Sequence, residues 1–492
     1  MEVLFIGGTG IISSACVAAA LEAGHEVSTL NRGLSRLPSQ VMADRTLIAD
    51  ASDELQVLEA LGNRHFDVVV QFTAYVPAQV ELDVRLYSGA GQYVFISSAS
   101  AYEKPPAHWL ITESTPLKNP FWQYSRDKIA CEEVLVRAHQ RTGFPVTIIR
   151  PSLTYGLSQI PVCIGSWTKP FTIIVRMRRG AKILVPGDGT SIWTITHNSD
   201  FARGLIPLLG RAEAIGEDFH ITSDEALTWN QIYLLVGKAA GVEPDLLHVP
   251  SDGVVAADPE QLGTLWGDKA HSSVFDNSKL RRLMPGFNAV VPFADGIRQT
   301  VDWFDSDPSR QEIDEPANAA WDRLAAIYVE ALAKAAECIA AGIARIKALQ
   351  RSNPSSGRCR STVERAQGWM LRRLMFTPPA CISAIAAAVV GEAAPCPGHG
   401  ALAIDIERRV EVLDRLVVFA ERHKAFAARL IGRRRERVAV DGVVEIGHGA
   451  NIVALLLVDE PARVERLRVL GIEPDGGVEI GSRLIQIALR AQ

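Results

Sequence analysis

No CxxC occurs among the seven cysteines of this chain, which are scattered at Cys16, Cys131, Cys163, Cys338, Cys359, Cys381 and Cys396. That argues against a disulfide scaffold and a zinc-ribbon site, and points to reduced thiols. The nearest ligand pair, Cys396 and His399, does not close a tetrahedral site, so no metal is expected. Long apolar runs are also missing. The longest, 381–391, is far short of the ~20 residues of a membrane helix, so the expectation is a soluble, cytoplasmic protein with no membrane partner. Met1-Glu2-Val3-Leu4-Phe5-Ile6 carries no basic leader and reads as a first strand, not a signal peptide. Neither sign of charge prevails. With 51 Lys and Arg against 56 Asp and Glu the net charge is −5, and no global field draws nucleic acid or an anionic membrane. Only residues 351–440 lean the other way, with sixteen basic against eight acidic side chains.

What is present suits a globular protein. The 492 residues are 48% hydrophobic and 22% charged, enough for about three domains. Strand-like segments at 3–6, 26–30, 45–49, 67–72, 92–96 and 146–149 alternate with helical ones at 12–23, 53–61 and 124–142. That alternation predicts a parallel sheet covered on both faces. From Ser152 the pattern loosens into short extended pieces at 183–186, 194–196 and 219–222, with helices at 199–209 and 228–240, which suits a smaller α+β lobe. An Ala-rich helix at 318–349 leads into a linker at 351–357. Beyond it stand a Pro/Ala/Gly-rich patch at 378–400, a charged helix at 403–437 and β-like runs at 438–446 and 451–458.

Three features carry chemistry. Gly7-Gly8-Thr9-Gly10-Ile11-Ile12-Ser13 follows the first strand and opens the first helix. Glycines there allow a tight turn and the close approach of a pyrophosphate to the helix N-terminus. Tyr124-Ser125-Arg126-Asp127-Lys128 puts a phenol and an ammonium one helical turn apart on one face. The cation is expected to favour phenolate and to lower the tyrosine pKa toward working pH. Upstream, a strand runs into Ser97-Ser98-Ala99-Ser100, so the Ser98 hydroxyl stands at a strand's carboxyl end, where open α/β sheets bind ligands. Gly-rich turns and surface Tyr/Lys pairs are each common; the three features in this order are not.

With these motifs, residues 1–310 resemble the extended and atypical short-chain dehydrogenase/reductases, the NAD-dependent epimerase/dehydratase group. Arg150-Pro151-Ser152-Leu153-Thr154-Tyr155-Gly156, Gly187-Asp188-Gly189-Thr190 and His197-Asn198-Ser199-Asp200 are similar to its further landmarks. The resemblance implies an α/β fold: a Rossmann doubly wound parallel sheet (1–155), interleaved with an α+β substrate lobe (156–315). A helix and linker (316–357) and an appended C-terminal α/β region (358–492) without assigned role follow. It implies NAD(P), bound by Gly7, Gly8, Thr9, Gly10, Ile11, Ile12, Asn31, Arg32, Asp50, Lys128 and Pro151. Asp50 would contact adenine and Lys128 the nicotinamide ribose. Ser98, Tyr124 and Lys128 would be catalytic, acting as epimerase, dehydrogenase or reductase on a hydroxyl or carbonyl carbon of a sugar-nucleotide-like or related small molecule. A homodimer is the family's expectation.

Several departures qualify this. Ser13 replaces a third glycine, which should hold the helix slightly off the sheet. Asn31-Arg32 ends the second strand without an acid for a ribose 2′-hydroxyl, and Arg32 suits a 2′-phosphate, favouring NADP over NAD. Ser98-Ala99-Ser100 lacks the Asp-Glu pair of sugar dehydratases, which disfavours elimination. Trp193 stands where many nucleotide-sugar enzymes carry an arginine, a loss that Arg176, Arg178 and Arg179 could offset. The short 72–93 segment and Gln71-Phe72-Thr73-Ala74-Tyr75 resemble an atypical branch that includes chloroplast stem-loop RNA-binding proteins. The alternative is therefore a non-catalytic dinucleotide-binding or RNA-binding protein of the same fold. Retention of both Tyr124 and Lys128 favours the enzyme.

Overall fold

The computed structural model describes residues 1–34 and 43–352, and beyond them the strands 440–446, 450–458, 465–472, 478–479 and 485–487. The chain divides into two units, Met1–Val329 and Glu330–Gln492. The first opens with β1 (Glu2–Ile6), α1 (Ile11–Glu22), β2 (Glu26–Asn31), β3 (Arg45–Ile48), α2 (Glu54–Leu61), β4 (Val68–Gln71), α3 (Pro77–Leu86) and β5 (Gln92–Ile96). It continues through β6 (Leu110–Ile111), α4 (Gln123–Thr142), β7 (Val146–Pro151), β8 (Leu153–Tyr155), α5 (Thr172–Arg178), β9 (Ile183–Pro186), β10 (Ile192–His197), α6 (Asn198–Leu205) and β11 (Asp218–Ile221). Then come β12 (Ala226–Thr228), α7 (Trp229–Ala239), β13 (Leu246–Val249), α8 (Ser251–Ala257), α9 (Gln261–Thr264), β14 (Val274–Phe275), α10 (Ser278–Leu283), α11 (Phe293–Asp305) and α12 (Glu315–Ser352), whose residues from Glu330 on belong to the second unit.

Seven strands form one parallel sheet in the order β11-β7-β5-β4-β1-β2-β3. Val3 and Phe5 of β1 pack with Cys16 and Val17 of α1 and with Phe201 and Leu205 of α6. Leu4 and Ile6 belong to the opposite face, with Val57, Val80, Cys131 and Leu135 from α2, α3 and α4. Successive side chains of a strand point to opposite faces. A strand apolar at every position is therefore what a sheet covered on both sides requires. This is the covered parallel sheet that the alternation predicts and the doubly wound Rossmann architecture that the family resemblance implies. Strand order reverses beside β1, between β4 and β2, and the carboxyl ends at such a switch point form a crevice for ligands.

Two elements depart from the sequence reading. Residues 77–86, within the short 72–93 segment to which the sequence reading assigned no element, form α3. Pro77 sits in its first turn, and Gln79 Oε1 accepts from the amides of Tyr75 (2.7 Å) and Val76 (3.2 Å). Only Val80, Leu82 and Asp83 are buried, so apolar periodicity barely marks the helix. The extended piece near 219–222 is β11, which pairs with β7 at the edge of the large sheet.

The lobe holds a three-stranded sheet, β12-β10-β8, and the pair β13-β9. Its core joins Trp193, Trp229, Tyr233, Ile297 and Phe304 with α5, α7 and α11. The second unit contains β15 (Val440–Ile446), β16 (Ala450–Val458), β17 (Glu465–Ile472), β18 (Val478–Glu479) and β19 (Ile485–Ile487) in one antiparallel sheet. The charged helix expected at 403–437 and the patch at 378–400 lie outside the described residues.

Candidate active site

After β1 the chain turns at Gly7, whose φ is +96°. A Cβ at Gly7 would lie 2.3 Å from Thr73 Cγ2, and one at Gly8 2.5 Å from Thr29 Cγ2, so both positions need glycine for close packing. Thr9 N–H donates to Gly7 O (2.7 Å). The Ser13 hydroxyl donates to Gly7 O (2.8 Å) and accepts from Gly10 N–H (2.8 Å). Ser13, standing in the place of a third glycine, therefore ties the turn to the helix. The first-turn amides of Ile11 and Ile12 have no acceptor within α1. An open turn leading to free helix amides fits the pyrophosphate of a dinucleotide.

A cavity of about 430 Å³ runs along the carboxyl ends of β1, β4, β5 and β7. Gly7, Gly10, Ile11, Ile12 and Ser13 line one end. Thr73, Tyr75, Ser98, Tyr124, Lys128 and Pro151 follow, and Trp122, Trp167, Trp193, Asp268 and Lys269 also form its wall.

Helix α4 carries Tyr124 and Lys128 one turn apart. Lys128 is buried, and its Nζ donates to Ala74 O (2.7 Å) and Ile96 O (2.8 Å). It lies 4.9 Å from the Tyr75 ring centre and 4.7 Å from that of Phe95. Burial lowers its pKa to about 8. The Tyr124 phenol is pushed up to about 12, by burial first, with hydrogen bonding to Ser98 drawing it partly back. The expected lowering of Tyr124 by its lysine neighbour is thus not found. Two carbonyls engage the ammonium, and loss of hydration outweighs the remaining attraction. The Ser98 hydroxyl accepts from Ser100 N–H (3.2 Å) and pairs with Ser100 Oγ (2.9 Å), which accepts from Ser125 Oγ (2.8 Å).

Buried polar groups brace this site from behind. Asp83 Oδ2 accepts from Gln71 Nε2 (2.7 Å) and the Tyr93 hydroxyl (2.6 Å), while Gln71 Oε1 accepts from Thr73 N–H (2.7 Å). This chain fixes the turn packed against Gly7. Arg150 reaches Glu132 (2.6 Å) and Asp218 (2.6 Å), so this landmark arginine serves the fold, whereas the neighbouring Pro151 lines the cavity. Asn198 Nδ2 donates to Ile11 O (2.8 Å), and Asp200 accepts from the amides of Val290 (3.0 Å) and Val291 (2.9 Å).

Other expected residues lie apart from the cavity wall. Asn31 and Arg32 are at the carboxyl end of β2, where Asn31 Oδ1 accepts from Gly33 N–H (2.9 Å) and Arg32 is exposed. Asp50 follows β3 and accepts from Ser52 N–H (2.9 Å). Arg176 pairs with Asp322 (2.8 Å) and Arg178 with Asp305 (2.6 Å), which binds α5 to α12 and α11. Among the described residues no arginine lines the cavity, so the compensation expected from Arg176, Arg178 and Arg179 does not occur there. Asp268 and Lys269 escaped the sequence reading because no local motif marks them.

The family model described as "NAD dependent epimerase/dehydratase family" matches residues 3–222. A 3-diazoavenalumate denitrifying reductase from Streptomyces sp. is 30% identical over 251 residues, 46% of this chain and 77% of that protein. The chain belongs to the NAD dependent epimerase/dehydratase family. A dTDP-glucose 4,6-dehydratase from an Actinoplanes strain is 26% identical over 340 residues, 62% of this chain and 98% of that protein. The chloroplast stem-loop binding protein of 41 kDa b from Arabidopsis thaliana is 27% identical over 261 residues, 50% of this chain and 65% of that protein. Solved epimerase structures in complex with NAD or NAD+ align over 62–63% of this chain, with TM-scores of 0.50–0.52 at 18–22% identity. That likeness shows the fold. Among the described residues no helix is long and apolar enough to cross a membrane.

Proposed function

We propose that the chain is an NAD(P)-dependent epimerase, dehydrogenase or reductase acting at a hydroxyl or carbonyl carbon of a sugar-nucleotide-like or related substrate. The observation that carries the reading is that the glycine turn, Ser98, Tyr124 and Lys128 line one cavity. In this reading residues 1–155 hold the cofactor, 156–315 carry the substrate, and 358–492 have no assigned part. Gly7, Gly8, Thr9 and Gly10 shape the phosphate turn, and the amides of Ile11 and Ile12 receive the phosphate. Asn31, Arg32 and Asp50 take the adenosine end, with Arg32 suited to the 2′-phosphate of NADP. Pro151 borders the nicotinamide, and the third N–H of Lys128 remains for its ribose.

A bound nicotinamide supplies the two-electron donor or acceptor. Tyr124, kept protonated at neutral pH by burial, gives its proton to a carbonyl oxygen, or as phenolate takes one from a hydroxyl. Ser98 holds that oxygen. Ser98-Ala99-Ser100 supplies hydroxyls and a methyl but no carboxyl group, which weighs against dehydration. A cytoplasmic homodimer belongs to the same reading.

The test is calorimetric titration with NAD and NADP, oxidised and reduced, beside Tyr124→Phe. Tight binding of one cofactor, largely kept in the variant, supports the proposal; binding of none overturns it. The likeness to the stem-loop binding protein favours a second reading, RNA binding through the basic 351–440 segment. It requires RNA affinity that falls steeply with salt and disappears when residues 358–492 are deleted.

A further inference from the structure

The substrate end of the cavity holds an unbalanced buried charge. Lys269 is 2% exposed, and the contact its Nζ makes with a carboxylate is to its chain neighbour Asp268, at 3.4 Å. An ammonium has three donors, and a buried one without good partners is costly. Asp268 is shared, because Lys104 Nζ, also buried, stands 4.0 Å from its other oxygen and donates to Ser273 Oγ (3.2 Å). Two lysines therefore meet one carboxylate, which balances one of them at most, while burial lowers the pKa of Lys104.

Lys269 is held firmly. Its backbone carbonyl accepts from Trp229 Nε1 (2.9 Å), and Gly267 O accepts from Asn119 Nδ2 (2.7 Å). A Cβ at Gly263 would lie 2.3 Å from Trp122 Cδ1, and one at Gly267 2.9 Å from Trp122 Cβ, so this segment packs directly on that indole. The Trp122 ring is 5.0 Å from the Tyr124 ring and 5.9 Å from Lys269 Nζ. Trp167 is 5.5 Å from the same Nζ and more than half exposed at the rim, and Trp193 forms another part of the wall.

We infer that Lys269 anchors an anionic group of the substrate, a carboxylate on a planar, largely apolar body that lies along Trp122 and Trp167 toward Tyr124. The inference rests on the reading of the cavity as a nicotinamide-dependent site and names the substrate class for it. A nucleotide diphosphate shares the negative charge, but it brings more than one charge and calls for guanidinium forks. No arginine among the described residues lines this cavity, while Trp122, Trp167 and Trp193 contribute aromatic surface to its wall.

The experiment uses the full chain saturated with whichever cofactor it binds, titrated by calorimetry with cinnamate, cinnamamide and dTDP. Cinnamate should bind roughly tenfold or more tightly than its amide, the scale of one charge-assisted hydrogen bond. Lys269→Met should abolish that preference and leave cofactor affinity unchanged, and Lys269→Arg should keep most of it. Equal affinity for acid and amide, or no binding of the acid, overturns the inference. So does dTDP binding that depends on Lys269 in place of cinnamate. If Lys269→Met does not fold, the acid–amide comparison on the unmodified protein and on Lys269→Arg decides. Cofactor binding without acid preference sinks this inference alone, whereas failure to bind any cofactor sinks the underlying reading and this with it.

Discussion

Lys128 Nζ donates to Ala74 O at 2.7 Å and to Ile96 O at 2.8 Å, while Tyr124, one turn earlier on α4, lines the same cavity as Ser98. The lysine thus joins the turn after β4 to the end of β5 before any ligand arrives. Lys128→Met should leave two buried carbonyls without a donor. The expected cost is about 1–3 kcal/mol of stability, together with weaker cofactor binding. Denaturant unfolding and cofactor calorimetry on the same variant would show both; an unchanged midpoint would contradict the bracing role.

Tyr124 titrates near 12 and Lys128 near 8. At neutral pH the phenol is an acid and its base form is scarce. Carbonyl reduction should therefore run at a nearly constant rate from pH 6 to about 8. Oxidation of a hydroxyl should rise with pH over the same range, until loss of the Lys128 proton weakens cofactor binding. Tyr124→Phe should reduce turnover in both directions by roughly 10²–10⁴-fold with cofactor affinity within a few-fold. Near-normal turnover in that variant would remove Tyr124 from the chemistry.

Arg32 stands exposed at the end of β2, next to Asn31 and with no acid beside it in the chain. Arg32→Asp should exchange a partner for a 2′-phosphate for one that accepts from a 2′-hydroxyl. The ratio of NADP to NAD affinity should fall by roughly tenfold or more, read as paired dissociation constants. A ratio that does not move would place Arg32 outside the cofactor site.

Asp83 is buried, with its pKa raised to about 6 by burial despite hydrogen bonds from Tyr93 and Gln71. The unfolded chain ionises this carboxyl at lower pH, near 4. Its contribution to stability is therefore complete below about pH 4 and is lost as pH rises through about 6, a change of roughly 2–3 kcal/mol. Asp83→Asn keeps an acceptor for both partners and removes the titration. The variant should match the native protein in urea near pH 4 and exceed it near pH 7.5. Parallel curves at both pH values would assign the titration elsewhere.

Local patterns made part of this legible. A glycine turn between strand and helix, and a tyrosine and lysine four apart, are set by backbone geometry over a few residues, so the sequence displays them directly. The cavity does bring Gly7, Gly10, Ser98, Tyr124, Lys128 and Pro151 together. The helix at Pro77–Leu86 escaped because its buried face is narrow and includes Asp83, which periodicity counts as polar. The role of Ser13 escaped because its two hydrogen bonds run back to the turn, in a geometry that residue type alone does not reveal.

The amino-acid sequence by itself determined the parallel sheet covered on both faces, through apolar strands alternating with helical segments, and the order of the turn, Ser98 and the Tyr124 helix. Only the tertiary structure decided the protonation tendency of Tyr124 and the charge at the far end of the cavity. Both depend on burial and on partners brought from distant segments: Ala74 and Ile96 around Lys128, and Asp268 and Lys269 packed against Trp122. Hydration lost and charges gathered across the fold are properties of proximity in space, which spacing along the chain does not encode.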